Sequence, residues 1–440
     1  MDMGKTTNLN QRIRLGALLL ILSLSGAGCG SGAGEKSPEQ VPQPGSTGVV
    51  VRTGVLHDGY FYEEDGIVVS SGERFLYSDW EPVDFDYLCM DPSCSHLGAG
   101  CSAHAVSNEG KVTNDFSFLY RDRLIILHTY CEVDSETVTG EDAGTEMMIT
   151  EVRESYYTDV YEADLDGSNR RKKADFQGGI SNTVTAYSAV LADGKLYFGG
   201  PAERNSRWKY TDGGANMTSS FWLSDAIYCL DLENYTMETF AVTQDKEGQG
   251  DMYQLYEYDG MIYAVVSSFL DDRAVWYRID PAAGTCEEFL RFDANVARFC
   301  GAIGDTVYYF YEDSPKTLYA RDIAEEAAER EIMTVTGEDM HVIAFVLDGQ
   351  LLIQTDRVYE GENRMTEYAL LDRDGNLLNT IRYDDYIVFL DAFGDKLIYF
   401  RMGSSGWEHW WADKEALTEL VEAGTKLGPF QGSGLDTLSD

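Results

Sequence analysis

Basic residues are scarce in this chain. Its 440 residues carry 34 Lys and Arg against 75 Asp and Glu, a formal net charge of −41. So acidic a surface repels polyanions, which argues against nucleic acid as a partner and against adhesion of the folded part to anionic lipid. No Gly-x-Ser-x-Gly turn is present to expose a nucleophile, and no room is left for the separate hydrolase domain that would use one. Histidine is rare, with six in the chain. Of these, His57 stands beside a turn and His128 lies inside the apolar run Leu124–Tyr130, and both read as structural. Between residues 48 and 424 there is no second shift in composition and no long helical periodicity, so one domain is expected.

What the chain has in abundance is a repeat. Its clearest copy is Ala192–Phe240, where the turn Ala192-Asp193-Gly194 opens onto the strand Lys195-Leu196-Tyr197-Phe198 and a Tyr-x-x-Asp-Leu hairpin closes the unit. Opening turns of this kind end at residues 59, 123, 194, 260, 305, 349 and 395. The last three gaps are 45, 44 and 46 residues, the length of a four-stranded propeller blade. The first three gaps, of 64, 71 and 66 residues, each contain an insertion: the Cys/His segment at 89–104, the acidic segment Asp134–Glu154 and the polar segment Pro201–Ser220. Period-2 alternation bounded by Asp, Gly, Asn and Pro is strand-and-hairpin chemistry. The expectation is an all-β, seven-bladed β-propeller of four-stranded antiparallel blades over residues 48–424, followed by a loose tail at 425–440. The stretches Ile323–Glu331 and Lys414–Glu422 have the composition of short helical turns where a blade hairpin is due.

Residues 1–28 read as an export signal. Lys5, Arg12 and Arg14 form a basic head, and Leu15–Leu24 is an apolar core too short to span a bilayer. Ser25-Gly26-Ala27-Gly28 before Cys29 resembles the bacterial lipobox, with Gly26 where that motif usually has Leu. The resemblance implies that Cys29 is lipidated. It anchors the protein to the outer face of the cytoplasmic membrane, with 29–47 as a flexible tether. The Asp-Gly pairs in Asp164-Leu165-Asp166-Gly167 and Asp372-Arg373-Asp374-Gly375 fail the calcium-loop template, because Gly comes too early and no Glu follows at the required spacing. They are turn chemistry. In its Tyr-x-x-Asp-Leu-Asp-Gly context, the run Tyr161–Gly167 resembles the blade ends of TolB-like and YWTD-like propellers.

The sharpest local chemistry is Cys89-x4-Cys94-x-His96-x4-Cys101, followed by His104. It resembles a segment of uncharacterised lipoprotein propellers of clostridial gut bacteria, a likeness that implies no mechanism. Lipidation of Cys29 would leave seven of the eight cysteines, so they cannot all pair within the chain. Two structures remain open. Either Cys89, Cys94 and Cys101, with Cys131 in reach, form a disulfide, or Cys89, Cys94, His96 and Cys101 hold a structural zinc or iron. Aromatic side chains suited to stacking on a ligand are Trp208, Trp222, Trp407, Trp410 and Trp411. The expected function is a non-catalytic scaffold that binds an extracellular protein or glycan. The alternative is a glycan- or peptide-processing enzyme with acidic residues at the mouth of the central channel.

Overall fold

A computed structural model describes residues 52–427, apart from short stretches of which the longest are 81–85, 105–112, 180–188, 212–217, 244–250, 269–273 and 337–342. The export signal, Cys29, the tether and the tail beyond residue 427 lie outside the described residues, as does the Asp58-Gly59 turn.

Four antiparallel four-stranded sheets follow one another through the second half of the chain. The first contains Asp251–Tyr258, Met261–Ser268, Ala274–Asp280 and Thr285–Phe292; the second contains Ala297–Ile303, Thr306–Tyr311, Ser314–Asp322 and Arg330–Thr334. The third contains Ala344–Leu347, Gln350–Glu360, Asn363–Leu371 and Leu377–Tyr383; the fourth contains Ile387–Phe393, Lys396–Gly403, Gly406–Asp413 and Thr425–Lys426. Their opening turns use the expected chemistry. Asp259 and Gly260 sit at φ 52° and 78°, and Asp348 and Gly349 at 47° and 75°, the two positive values that a twisted two-residue hairpin needs.

The first three units are not separate sheets. They join into one sheet of thirteen strands. One cause is Arg52–His57, which pairs with Tyr60–Glu63 on one edge and with Ala189–Ala192 on the other. The second cause is the form the acidic and polar insertions take. They are the far halves of two long hairpins, Arg123–Asp142 with Thr145–Ala163 and Lys195–Thr211 with Thr218–Asp231. The two hairpins pair side by side, from Glu203 opposite Ser155 to Thr211 opposite Met147, and make a β arm. Runs such as Thr137-Val138-Thr139 and Ile149-Thr150 suit strand backbone, and side-by-side pairing of the hairpins gives the arm's two inner strands a partner on both edges.

Aromatic side chains hold the successive sheets together. Trp276, fully buried, meets Phe299 at 5.2 Å and Tyr309 at 5.5 Å, both on the following sheet. Phe345 stacks on Phe389 at 5.5 Å across the last two sheets. A single apolar cluster includes Tyr62 of the first unit, Tyr197 of the third, Tyr277 of the fourth and Ile398 of the last. The last sheet also departs from the regular hairpin. Lys414–Ala416 and Leu420–Ala423 form helical turns, as their composition suggested, before the short strand Thr425–Lys426 pairs with Trp410 and Trp411. Leu427 N–H then donates to His409 O at 3.0 Å, so the sheet runs past residue 424 into the stretch expected to be tail. Ile323–Glu331 makes no helix among its described residues, and Arg330 begins a strand.

Candidate metal centre

The Cys/His segment leaves the first unit at the short strand Asp86–Tyr87 and has no regular secondary structure through its described residues. Its shape comes from local polar contacts. Asp91 accepts the Ser93 N–H at 2.8 Å and the Ser93 hydroxyl at 2.7 Å, and Cys94 N–H closes a turn onto Asp91 O at 3.0 Å. His96 takes a left-handed φ of 57°. Its ring stacks on Tyr87 with centroids 4.5 Å apart, and its carbonyl accepts Arg74 Nε at 2.6 Å. Cys101 is buried.

These constraints bring Cys89, Cys94, His96 and Cys101 together, with one ligand atom from each lying within 4.8 Å of all the others. Cys101 Sγ and His96 Nδ1 are 3.5 Å apart. For a tetrahedral ion with metal–sulfur bonds of about 2.3 Å and metal–nitrogen bonds of about 2.0 Å, the edges are about 3.8 Å between sulfurs and about 3.5 Å from sulfur to nitrogen. The donor set therefore fits one metal ion. His96 N–H donates to Cys94 Sγ at 3.4 Å, the kind of outer contact that steadies a thiolate ligand. All seven described cysteines carry free thiols. Cys131 stands apart on the Arg123–Asp142 strand, its thiol directed at Glu132 O at 3.7 Å. The Ser102 hydroxyl draws the Cys89 thiol down to about 6, whereas burial pushes Cys101 up to about 11. His104, which followed the motif in sequence, pairs with Arg74 as an isolated bridge and is no part of the group.

Of the candidate stacking tryptophans, Trp410 and Trp411 are described, and they do not share one surface. Trp410 packs with the core between the last two sheets and carries Arg401 over its ring at 4.6 Å. Trp411 points to the opposite face, against Trp80 and under Lys396. Both are engaged in packing. The side chains of Trp208, Trp222 and Trp407 lie outside the described ones, and by register Trp208 and Trp222 sit on the arm, remote in the pairing from Trp407.

Motif reading overlooked a cavity of about 380 Å³ where the opening turns of the four later sheets converge. Tyr256, Tyr258, Phe345 and Phe393 line it, with the carboxylates of Glu257, Asp259, Asp348 and Asp391. Glu257 accepts Gly260 N–H, and Asp391 accepts Ala392 N–H, each at 2.7 Å. Lys414, the one cation among the described lining residues, binds Asp348 at 2.8 Å. Among the described residues that line the cavity there is no Ser, Thr, Cys or His to serve as nucleophile or paired base. The signal was present in the turns themselves, because blade turns that share one end of the repeat must share one mouth.

No known family matches the chain, and no curated protein matches it significantly. Among solved structures the chain is similar to prolyl oligopeptidase B from Galerina marginata, at 12% identity over 85% of this chain and 50% of that one, with a TM-score of 0.44. It is similar to the β-propeller domain of the trilobed protease from Pyrococcus furiosus at 12% identity over 69% of this chain and 98% of that one, with a TM-score of 0.29. It is similar to TolB from Acinetobacter baumannii at 12% identity over 56% and 78%, with a TM-score of 0.23. The chain spans about half the length of the prolyl oligopeptidase. Likeness at this level carries no inference about activity, substrate or partner.

Proposed function

We propose that this chain is a lipid-anchored extracellular β-propeller of seven blades that acts as a non-catalytic binding scaffold. The observation that carries the reading is the cavity at the shared end of four sheets, whose described lining offers aromatic rings and no Ser, Thr, Cys or His, while its four carboxylates are each engaged within the chain, Glu257, Asp259 and Asp391 by backbone N–H groups and Asp348 by Lys414. A concave, aromatic-lined site of that kind suits binding and orienting a ligand. The chain's seven opening turns support the blade count, with the thirteen-stranded sheet accounting for the first three units. The export signal and lipobox-like residues before Cys29 support attachment to the outer face of the cytoplasmic membrane, where the partner is an extracellular protein or glycan. The Cys/His group holds a zinc or iron ion in a structural role, because three sulfurs and one nitrogen complete a tetrahedron and leave no position for substrate.

A second reading, an enzyme acting on glycans or peptides, draws on the same four carboxylates. One experiment separates the two. The chain lacking residues 1–29 is offered a panel of glycans and extracellular proteins, and both retention and turnover are followed. Retention without product, weakened by Phe393→Ala, supports the scaffold. Product formation that Asp391→Asn abolishes makes the chain an enzyme.

A further inference from the structure

We infer that the Cys89–Cys94–His96–Cys101 centre, loaded with one zinc ion, is the clamp that joins the first unit of the fold to the second. This rests on the metal reading above and goes further, because it gives the ion a partner on each side.

The joint is the tetrad Cys101–His104. On the side of the first unit, Ala103 O accepts Phe75 N–H at 2.8 Å, His104 pairs with Arg74, and Arg74 Nε donates to His96 O at 2.6 Å. On the side of the second unit lies the turn between the strands Thr145–Ala163 and Arg171–Gln177. From that turn Arg170 Nη2 donates to the carbonyls of both Ser102 and His104, and Arg170 Nε donates to Gly167 O at 3.0 Å. The guanidinium also lies over the Phe75 ring at 5.4 Å, so one side chain touches both units and the tetrad. Gly167, at φ 74°, comes so close that a Cβ there would stand 2.2 Å from Ser102 O. Only glycine fits.

The tetrad begins at a ligand. Cys101 is the buried sulfur of the four, and the described residues of the segment leading to it lie in no strand or helix. An ion bound by Cys89, Cys94, His96 and Cys101 would fix both ends of the segment, and the carbonyls that Arg170 reads would be fixed with them. Binding to the folded state alone adds to stability by mass action. A single ion is required, not a cluster, because donor atoms mutually within 4.8 Å enclose one atom. Among single ions zinc suits best, since three thiolates and one imidazole make a closed tetrahedral site with no redox demand.

The test uses the full chain with Cys29→Ser, purified with its thiols reduced. Zinc is counted by elemental analysis, and amide exchange is followed before and after removal by a chelator. Cobalt is then added as a spectroscopic probe of tetrahedral thiolate coordination. The expected result is one zinc per chain. Chelation then lowers protection at least tenfold in Arg74–Ser78 and in 164–177, and leaves the sheets after residue 250 unchanged. Arg170→Ala should keep zinc yet lose the protection at 164–177. Stoichiometric zinc whose removal leaves both segments equally protected would overturn the clamp and spare the metal. Failure to bind either zinc or cobalt, with the thiols titrating as free or as one disulfide, would overturn the metal reading itself.

Discussion

Trp80 and Trp411 meet edge to face, with ring centroids 5.6 Å apart. One belongs to the first unit of the chain and the other to the last strand pair, so the ends of the fold rest on each other. Lys396 Nζ lies 5.2 Å from the Trp411 ring centre and adds a cation above it. A double-mutant cycle on Trp80→Ala and Trp411→Ala should show a coupling of about 1 kcal/mol in urea unfolding. Strict additivity would mean that the two ends do not depend on each other.

Trp276 carries a different load. It is fully buried among Phe292, Phe299 and Tyr309, yet its indole N–H finds no acceptor among the described residues. Trp276→Ala should cost about 3–5 kcal/mol, the usual range for emptying an aromatic core site. Trp276→Phe should cost much less, under about 1.5 kcal/mol, because it removes an unsatisfied buried donor along with the smaller ring. Equal losses from the two substitutions would show that the N–H is in fact paired. Chemical unfolding followed by circular dichroism measures both.

Alkali should unfold the protein abruptly. Burial pushes Tyr263 and Tyr308 up to about 12, and raises Tyr256, Tyr368, Tyr383 and Tyr399 as well. A raised pKa in the folded state means stability that is fully present below the unfolded value of about 10 and is lost as pH climbs beyond it. Tyrosinate absorbance should therefore rise together with loss of the sheet signal. A gradual rise with the sheets intact would mean that these rings ionise in place.

The proposed membrane anchor rests on one residue. On that proposal, Cys29→Ser should move the protein from the membrane fraction to the soluble one without changing its unfolding midpoint, because position 29 precedes the first described strand, Arg52–His57. Unchanged partition would remove the anchor from the account.

The parts of this fold that were legible in sequence are the local ones. Asp259-Gly260 and Asp348-Gly349 announce their hairpins, because two positive φ values in succession favour those residues. The convergence of Cys89, Cys94, His96 and Cys101 was likewise legible, since all four fall within one short loop. What stayed hidden depends on pairing between distant segments. Asp134–Glu154 reads as an acidic excursion because Glu132–Val138 is exposed on both faces, which erases the alternation that marks a half-buried strand. Its neighbour across the arm, Glu203–Thr211, is a separate hairpin whose register no local pattern encodes. The same holds for Arg52–His57 beside Ala189–Ala192 and for Arg170 beneath Ser102.

The most direct measurement of the account is an anomalous difference map collected at the zinc absorption edge from crystals grown without chelator. It should show a single peak at about 2.3 Å from the sulfurs of Cys89, Cys94 and Cys101 and about 2.0 Å from His96 Nδ1. No peak, with continuous density joining two of the sulfurs at about 2 Å, would contradict it.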